Sequence, residues 1–462
     1  MKILIVSWYF PPTNAIGAVR VGKFARFLRA QGHDVRVLCG TPTDIPSTLA
    51  REVPDDTVVR TGWVDVNGLP KTMARLRRRL RALLSGGDGG QKRADTDPAQ
   101  LQREAGPRRG LDRVLHSLGW FYKHAVSFPD SWGGWTPFAL AGARTICRDW
   151  SPDMIFASGP PFTAFLVAQR LARRHGVPWV AEYRDRWVDD PYFSADWPEW
   201  RLRLLTVLER RLVATAAGVV TVSLPWAAFF QRKFGKPVVA AFNGFDPRDF
   251  AVADPSPEPL SHDRLTILYT GVIYAGRRDP TPLFTAINAL GPRRNLVSVM
   301  FVGTEPSHVM PLAIRAGVAD LVKVVAPVPY ADSIWLQRRA DLLLLLQWNA
   351  PADFGHVPAK LFEYLAVRRP IIGLGLEDNM PAAVIRERRA GVFSNDPAVL
   401  TRALEDWIDI KQREGRIPQL PVQVCAGMDR DTQYTQLAAF LEERVAESRS
   451  DPDLSSLAGH RM

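Results

Sequence analysis

Residues able to do chemistry gather where predicted strands give way to loops. Gly17 and Arg20 follow the first apolar run, and Glu182-Tyr-Arg-Asp-Arg-Trp187 ends another. Asn243-Gly-Phe-Asp246 stands near the middle of the chain. Gly271 closes a strand, with Arg277 and Arg278 just after it. Pro358-Ala-Lys-Leu-Phe-Glu-Tyr364 opens a helix before a further strand, and places Lys360 one turn from Glu363 on the same face. These types are cations, carboxylates and glycines. Cations stabilise developing negative charge, carboxylates accept hydrogen bonds from hydroxyls, and glycine lets a backbone approach a ligand closely. Other chemistries find no support. The eight histidines form neither an H-x-E nor an HExxH cluster, so no metal site is expected. A Gly-x-x-x-x-Gly-Lys-[Ser/Thr] motif is missing, which argues against an ATPase, and no Ser-His-Asp arrangement is legible.

The elements that position these residues read as α/β. Lys2-Ile-Leu-Ile-Val-Ser7 is the continuous apolar run of a strand covered on both faces. Trp8–Gly17 reads as a loop, Val19–Ala30 has helical spacing, and Val35–Cys39 is the next strand. This is a βαβ start, the unit of doubly wound parallel sheets. The pattern returns with strands at Asp153–Ser158, Trp179–Tyr183 and Gly218–Ser223, separated by helices through Arg174 and around Trp200–Ala217. The proline-rich Ala253–His262 reads as an interdomain linker. A second series follows, with strands at Leu265–Thr270, Val297–Val302, Val322–Val325, Leu342–Leu346 and Pro370–Leu374, and helices near Pro282–Leu290 and Ala359–Val367. In open α/β sheets ligands bind outside the carboxyl ends of strands, where the residues above fall.

The expected fold is therefore α/β, with two Rossmann-like domains. The N-terminal domain covers 1–250 with a basic insert at about 66–128, and the C-terminal domain covers 263–428. A helix at 429–447 is expected to pack back on the N-terminal domain, and 448–462 to form a disordered tail.

The chain has 462 residues, 46% of them hydrophobic and 23% charged, which excludes disorder for most of it. No apolar run nears the ~18 residues of a membrane span. Pro11-Pro12 cut the first apolar stretch short, so no signal peptide is expected. Three scattered cysteines exclude a disulfide framework, and reducing cytoplasm is the expected compartment. The net charge is +11, but Lys71–Lys123 alone holds 13 Lys/Arg against 5 Asp/Glu. That marks one basic segment on a nearly balanced body rather than a nucleic-acid-binding surface. Within it, Met73–Leu84 sets Leu76, Leu80, Leu83 and Leu84 in an apolar stripe beside Arg75, Arg77, Arg78, Arg79 and Arg81. Leu115–Lys123 mixes aromatic and basic residues. The segment is expected either to attach the protein to an anionic membrane surface or to pack as a helical insert.

Together and in order, these motifs resemble the family-4 glycosyltransferases of the GT-B fold, particularly those that build bacterial surface polysaccharides. The resemblance runs from residue 1 to about 447, apart from the insert. It implies two Rossmann-like domains facing across a cleft, with the nucleotide-sugar donor (UDP- or GDP-linked) on the C-terminal half and a saccharide or polyprenyl-linked acceptor on the N-terminal half. It also implies transfer with retention of configuration and no metal or other cofactor. Arg277 and Arg278 then match the phosphate-clamping position, and Glu363 the acid that binds ribose hydroxyls. Lys360 either contacts phosphate or forms a salt bridge with Glu363. Gly17 and Gly271 let their loops approach the donor, and Arg20 either holds an anionic acceptor or lies on a solvated face. Arg184 and Asp185 match an Arg-Asp-x-Trp element, with Asp185 holding the acceptor hydroxyl, orienting Arg184, or joining it in a structural pair that anchors Trp187. The family's first acid is absent, because Gly355 stands eight residues before Glu363. Other readings on this fold are a non-hydrolysing nucleotide-sugar epimerase and a non-catalytic scaffold of a polysaccharide-assembly complex.

Overall fold

A computed structural model describes residues 1–42, 44–66, 68, 120–122, 124–194, 197–250, 259–274 and 276–450. The Arg/Leu stretch Met73–Leu84, most of the Ala253–His262 linker and the end of the tail lie outside the described residues. The chain divides into two compact units, Met1–Val219 with Leu441–Met462, and Val220–Phe440.

The first sheet has seven strands: β1 (Lys2–Ser7), β2 (Asp34–Gly40), β3 (Val58–Thr61), β4 (Met154–Gly159), β5 (Trp179–Tyr183), β6 (Gly218–Thr221) and β7 (Val238–Ala240). Their order is β3-β2-β1-β4-β5-β6-β7, with parallel registers such as Ile3↔Val35 and Ile3↔Met154. The order reverses direction between β1 and β4, the kind of switch point where α/β sheets open a crevice at their carboxyl edge. Between the strands run α1 (Ile16–Ala30), α2 (Thr136–Ile146), α3 (Thr163–His175), α4 (Pro191–Ser194), α5 (Glu199–Ala214) and α6 (Leu224–Phe234). Helix α3 ends on Gly176 at φ 64, a left-handed cap that glycine adopts without strain.

The second sheet has six strands: β8 (Leu265–Thr270), β9 (Val297–Val302), β10 (Val322–Val325), β11 (Leu342–Leu346), β12 (Ile371–Leu374) and β13 (Gly391–Phe393), in the order β10-β9-β8-β11-β12-β13. Its helices are α7 (Thr281–Ala289), α8 (Pro306–Arg315), α9 (Tyr330–Arg339), α10 (Ala359–Val367), α11 (Met380–Glu387) and α12 (Pro397–Glu414). Side chains alternate across this sheet. Ile267, Tyr269, Leu344 and Leu346 enter one core, while Leu268, Leu343 and Leu345 enter the other. Both faces are covered, which is why these strands read as unbroken apolar runs.

Several elements differ from the sequence expectation. Helix α1 begins at Ile16 rather than Val19, so Gly17 lies in its first turn and not in the preceding loop. The last helix, α13, covers Arg430–Ser450, beyond the expected end at 447, and Arg449 reaches Asp153 at 2.8 Å. Strand β3 and helix α2 were not read from the sequence: β3 is four residues long, and α2 buries mostly small side chains, Ala139 and Ala143 with Ile146. Next to them in sequence, Trp63 and Trp135 meet the Trp8 ring at 5.3 Å and 5.4 Å.

Candidate functional site

In the N-terminal unit, β4 and β5 lie side by side with Ser158 in register with Glu182, next to their carboxyl ends. Glu182 is a lone carboxylate in a strand buried along its whole length, and it needs partners. Its Oε1 accepts from Arg20 Nε at 2.8 Å, and its Oε2 accepts from the Ser158 hydroxyl. Ser158 Oγ in turn accepts from Arg184 Nη1 at 3.0 Å. The Arg184 guanidinium also donates to the carbonyls of Gly17 and Pro160. A ring of polar contacts thus returns to α1, where it began. Gly17 leaves room for Arg184 in this position, since a Cβ there would stand 2.7 Å from its guanidinium carbon.

Arg20 is 4% exposed and paired with Glu182, so it belongs to this buried network rather than to a solvated face. Arg184 is oriented by Ser158 and two carbonyls, not by Asp185. Among the described residues Asp185 makes neither a hydrogen bond nor an ion pair. Burial raises its pKa from the ordinary carboxylate value, and the charge of Arg184 opposes the shift. Arg184 itself is drawn down by burial, with Glu182 and Asp185 opposing. Trp187 is anchored by stacking on Phe162 at 4.6 Å.

In the C-terminal unit, β8 delivers Tyr269 and Gly271 to the start of α10. The Lys360 ammonium donates to the Tyr269 hydroxyl at 3.0 Å and lies 4.2 Å from the centre of that ring. Arg278 Nη1 reaches the same hydroxyl at 3.3 Å and the Val272 carbonyl at 2.6 Å, and the Tyr269 hydroxyl donates to Val272 O at 2.9 Å. Gly271 has φ +112, and a Cβ there would meet Lys360 Nζ at 2.6 Å. Burial lowers the Lys360 pKa, with Tyr269 opposing and Arg278 adding to the shift. Arg277 lies over the Trp348 ring at 5.2 Å.

Glu363 faces Tyr330, whose hydroxyl donates to Oε1 at 3.3 Å. Burial raises the Glu363 pKa, against hydrogen bonds from Gln337 and Tyr330 and the charges of Lys360 and Arg430. The salt bridge between Lys360 and Glu363, one of two readings of their spacing, does not form. Tyr364, the last residue of the motif, fixes α10 to the end of β8, its hydroxyl lying 3.4 Å from Thr270 Oγ1.

At Gly355, eight residues before Glu363, φ is +81 and a Cβ would meet the Trp226 indole at 2.3 Å. The backbone there admits no side chain. The sequence reading missed Tyr269, Ser158 and Tyr330, and named Glu182 within its motif without giving it a role. The signal for Glu182's role is its place as a charged residue inside an apolar strand. Among the described residues no group of three or more metal-ligating side chains converges.

Residues 17–244 match the family model of the glycosyl transferase 4-like domain. No curated protein matches the sequence. Several solved structures are similar over nearly their whole length. Sucrose-phosphate synthase from Thermosynechococcus elongatus shares 13% identity at a TM-score of 0.58, over 97% of this chain and 100% of that one. Anabaena HepE, solved in complex with UDP-glucose, shares 14% at 0.55, over 96% and 100%. WaaG, a glycosyltransferase involved in lipopolysaccharide biosynthesis, shares 14% at 0.53, over 95% and 99%. The chain therefore has the GT-B glycosyltransferase fold, and its residues 17–244 carry the pattern of a glycosyl transferase 4-like domain.

Proposed function

We propose that the protein is a retaining glycosyltransferase that moves a sugar from a UDP- or GDP-linked donor to a saccharide or polyprenyl-linked acceptor in cell-surface polysaccharide synthesis. The observation that carries this reading is the arrangement of Lys360 and Arg278 on one Tyr269 hydroxyl beside Gly271. Two cations beside a glycine backbone suit a diphosphate, whose charge grows as the glycosidic bond breaks. Glu363, held by Tyr330, suits a ribose diol. HepE with its UDP-glucose and WaaG in lipopolysaccharide synthesis are relatives in fold that support a nucleotide-sugar substrate and a surface-polysaccharide role.

In this reading the acceptor oxygen bonds to the anomeric carbon as the bond to the diphosphate breaks. The acceptor proton passes to a leaving-group phosphate oxygen on the same face. Lys360 and Arg278 take up the charge of the departing diphosphate, so the reaction proceeds without a metal. Asp185, which makes neither a hydrogen bond nor an ion pair among the described residues, holds the acceptor hydroxyl, and Arg184 lines the same edge.

Attachment to an anionic membrane surface is part of the proposal. It rests on the arginines between Met73 and Leu84 and on Trp120 and Phe121, which are 42% and 57% exposed. Each cation near an anionic leaflet contributes about 1 kcal/mol. The binding half of the reading is tested by calorimetry with UDP and GDP on the wild type and on Glu363→Ala. Tight binding of one nucleotide that weakens in the variant supports it, and no heat with either nucleotide contradicts it.

A further inference from the structure

A cavity of about 390 Å³ lies in the N-terminal unit where the C-terminal ends of α2 and α3 meet. Helix α2 leads into β4 and α3 leads into β5, so these ends stand at the amino edge of the sheet. The Glu182–Ser158–Arg184 network occupies the opposite edge. The cavity is therefore separate from the residues assigned above to sugar transfer.

Its wall is cationic. Arg144 and Arg148 come from the end of α2, Arg170 and Arg174 from α3, and His175 closes one side, with Leu171 among the apolar lining. No carboxylate lines it. Among the described residues, none of the four guanidiniums makes a hydrogen bond or an ion pair. Basic residues near a helix C-terminus do offset the helix dipole. That role needs fewer cations than stand here, and Arg36 already donates to the last carbonyl of α2, Ile146 O, at 3.1 Å. Arg170 and Arg174 are one turn apart, a spacing at which like charges repel. All four arginines are exposed, so solvent screens their repulsion, and their donors stay open to an anion that enters the cavity from the solvent side. The field reaches the half-buried Cys147 as well. Burial raises the Cys147 thiol, and Arg174 and Arg36 oppose the shift.

We propose that this cavity binds an anion carrying at least two phosphoryl groups, at a site distinct from the one that takes the sugar donor. Guanidinium groups grip phosphate through paired N–H donors, and four of them exceed what one phosphate needs. The volume falls in the range of small-molecule pockets, about 300–1,000 Å³. A soluble oligophosphate and a lipid headgroup with two phosphates share this chemistry.

The test is calorimetric titration of the full chain with pyrophosphate. The wild type is compared with Arg170→Gln/Arg174→Gln, with Arg144→Gln/Arg148→Gln, and with Arg278→Gln/Lys360→Gln, which impairs the donor-site cations. The expected result is binding that survives in the donor-site variant and weakens at least tenfold in either arginine-pair variant. Thermal melts establish that each variant is folded, and Arg→Lys pairs, which keep the charge but lose the fork, replace any that is not. Flotation with cardiolipin and with phosphatidylcholine vesicles separates the sources. Cardiolipin recovery that the arginine variants lose assigns a headgroup, and pyrophosphate binding without flotation assigns a soluble ligand. Wild-type binding that disappears in the donor-site variant, or unchanged affinity in both arginine-pair variants, overturns the proposal.

Discussion

Lys360 and Glu363 stand one turn apart on α10 and make no ion pair with each other. The ammonium turns to Tyr269 at 3.0 Å, and the carboxylate takes the Tyr330 hydroxyl at 3.3 Å. A salt bridge would have neutralised both. Apart, each keeps capacity for a ligand, the lysine for phosphate and the glutamate for hydroxyls. Lys360→Gln is therefore expected to weaken nucleotide binding by about 1.5–3 kcal/mol, the worth of a charge-assisted hydrogen bond. Its thermal midpoint should change little, because the desolvation of a half-buried ammonium is relieved in the variant. Equilibrium titration and a melt on the same sample check both statements.

Glu363 gives a pH-dependent prediction. Burial raises its folded pKa, so the folded state binds the proton more tightly than the unfolded chain. The neutral carboxyl stabilises the fold below the unfolded pKa, and that stability is lost as pH rises through the folded pKa. Glu363→Gln should thus melt higher than the wild type at neutral pH, with the difference shrinking as pH falls through the carboxylate range. Nucleotide affinity should fall in the same variant, because an amide accepts a ribose hydroxyl less strongly than a carboxylate. Melting curves of the pair across pH 3–8, roughly spanning the carboxylate titration, test the sign.

The two glycines of the site should respond differently to alanine. At Gly17 the added Cβ meets only the tip of the Arg184 side chain, which can swing away. Gly17→Ala should therefore fold normally and lose activity as Arg184 leaves Ser158. At Gly271 the added Cβ meets Lys360 on a backbone at φ +112, which L side chains rarely adopt. Gly271→Ala should lose about 1–3 kcal/mol of stability as well as nucleotide binding. Urea unfolding of both variants distinguishes the cases.

Lys411 and Asp341 supply a control for stability remote from these chemistries. Their side chains are 3% and 2% exposed and meet at 3.1 Å, and Asp341 Oδ2 also accepts from the Thr266 backbone N–H at 2.9 Å. Removing the ammonium leaves a buried charge uncompensated, so Lys411→Met should cost about 3–5 kcal/mol in urea unfolding. Nucleotide affinity of the folded fraction should be unchanged.

Strands covered on both faces were legible because an apolar run needs no context: Lys2–Ser7, Leu265–Thr270 and Leu342–Leu346 are strands at the predicted bounds. Helix α2 was not, because the face it buries is mostly alanine, Ala139 and Ala143 with Ile146. At the candidate site, residue types and spacing placed Lys360 and Glu363 on one helix but could not say which partner each would choose. That choice depends on Tyr269 and Tyr330, which reach the site from other elements. Arg20 shows the same limit, because its partner Glu182 lies 162 residues away in sequence.

The most direct measurement is release of nucleotide from a panel of UDP- and GDP-sugars, with a polyprenyl-linked saccharide as acceptor and with EDTA present. The account predicts release from one donor that depends on the acceptor, persists with chelator, and yields a product of the same anomeric configuration as the donor. No release from any donor, epimerised donor without an acceptor, or activity that vanishes with EDTA and returns with Mg²⁺ or Mn²⁺ would contradict it.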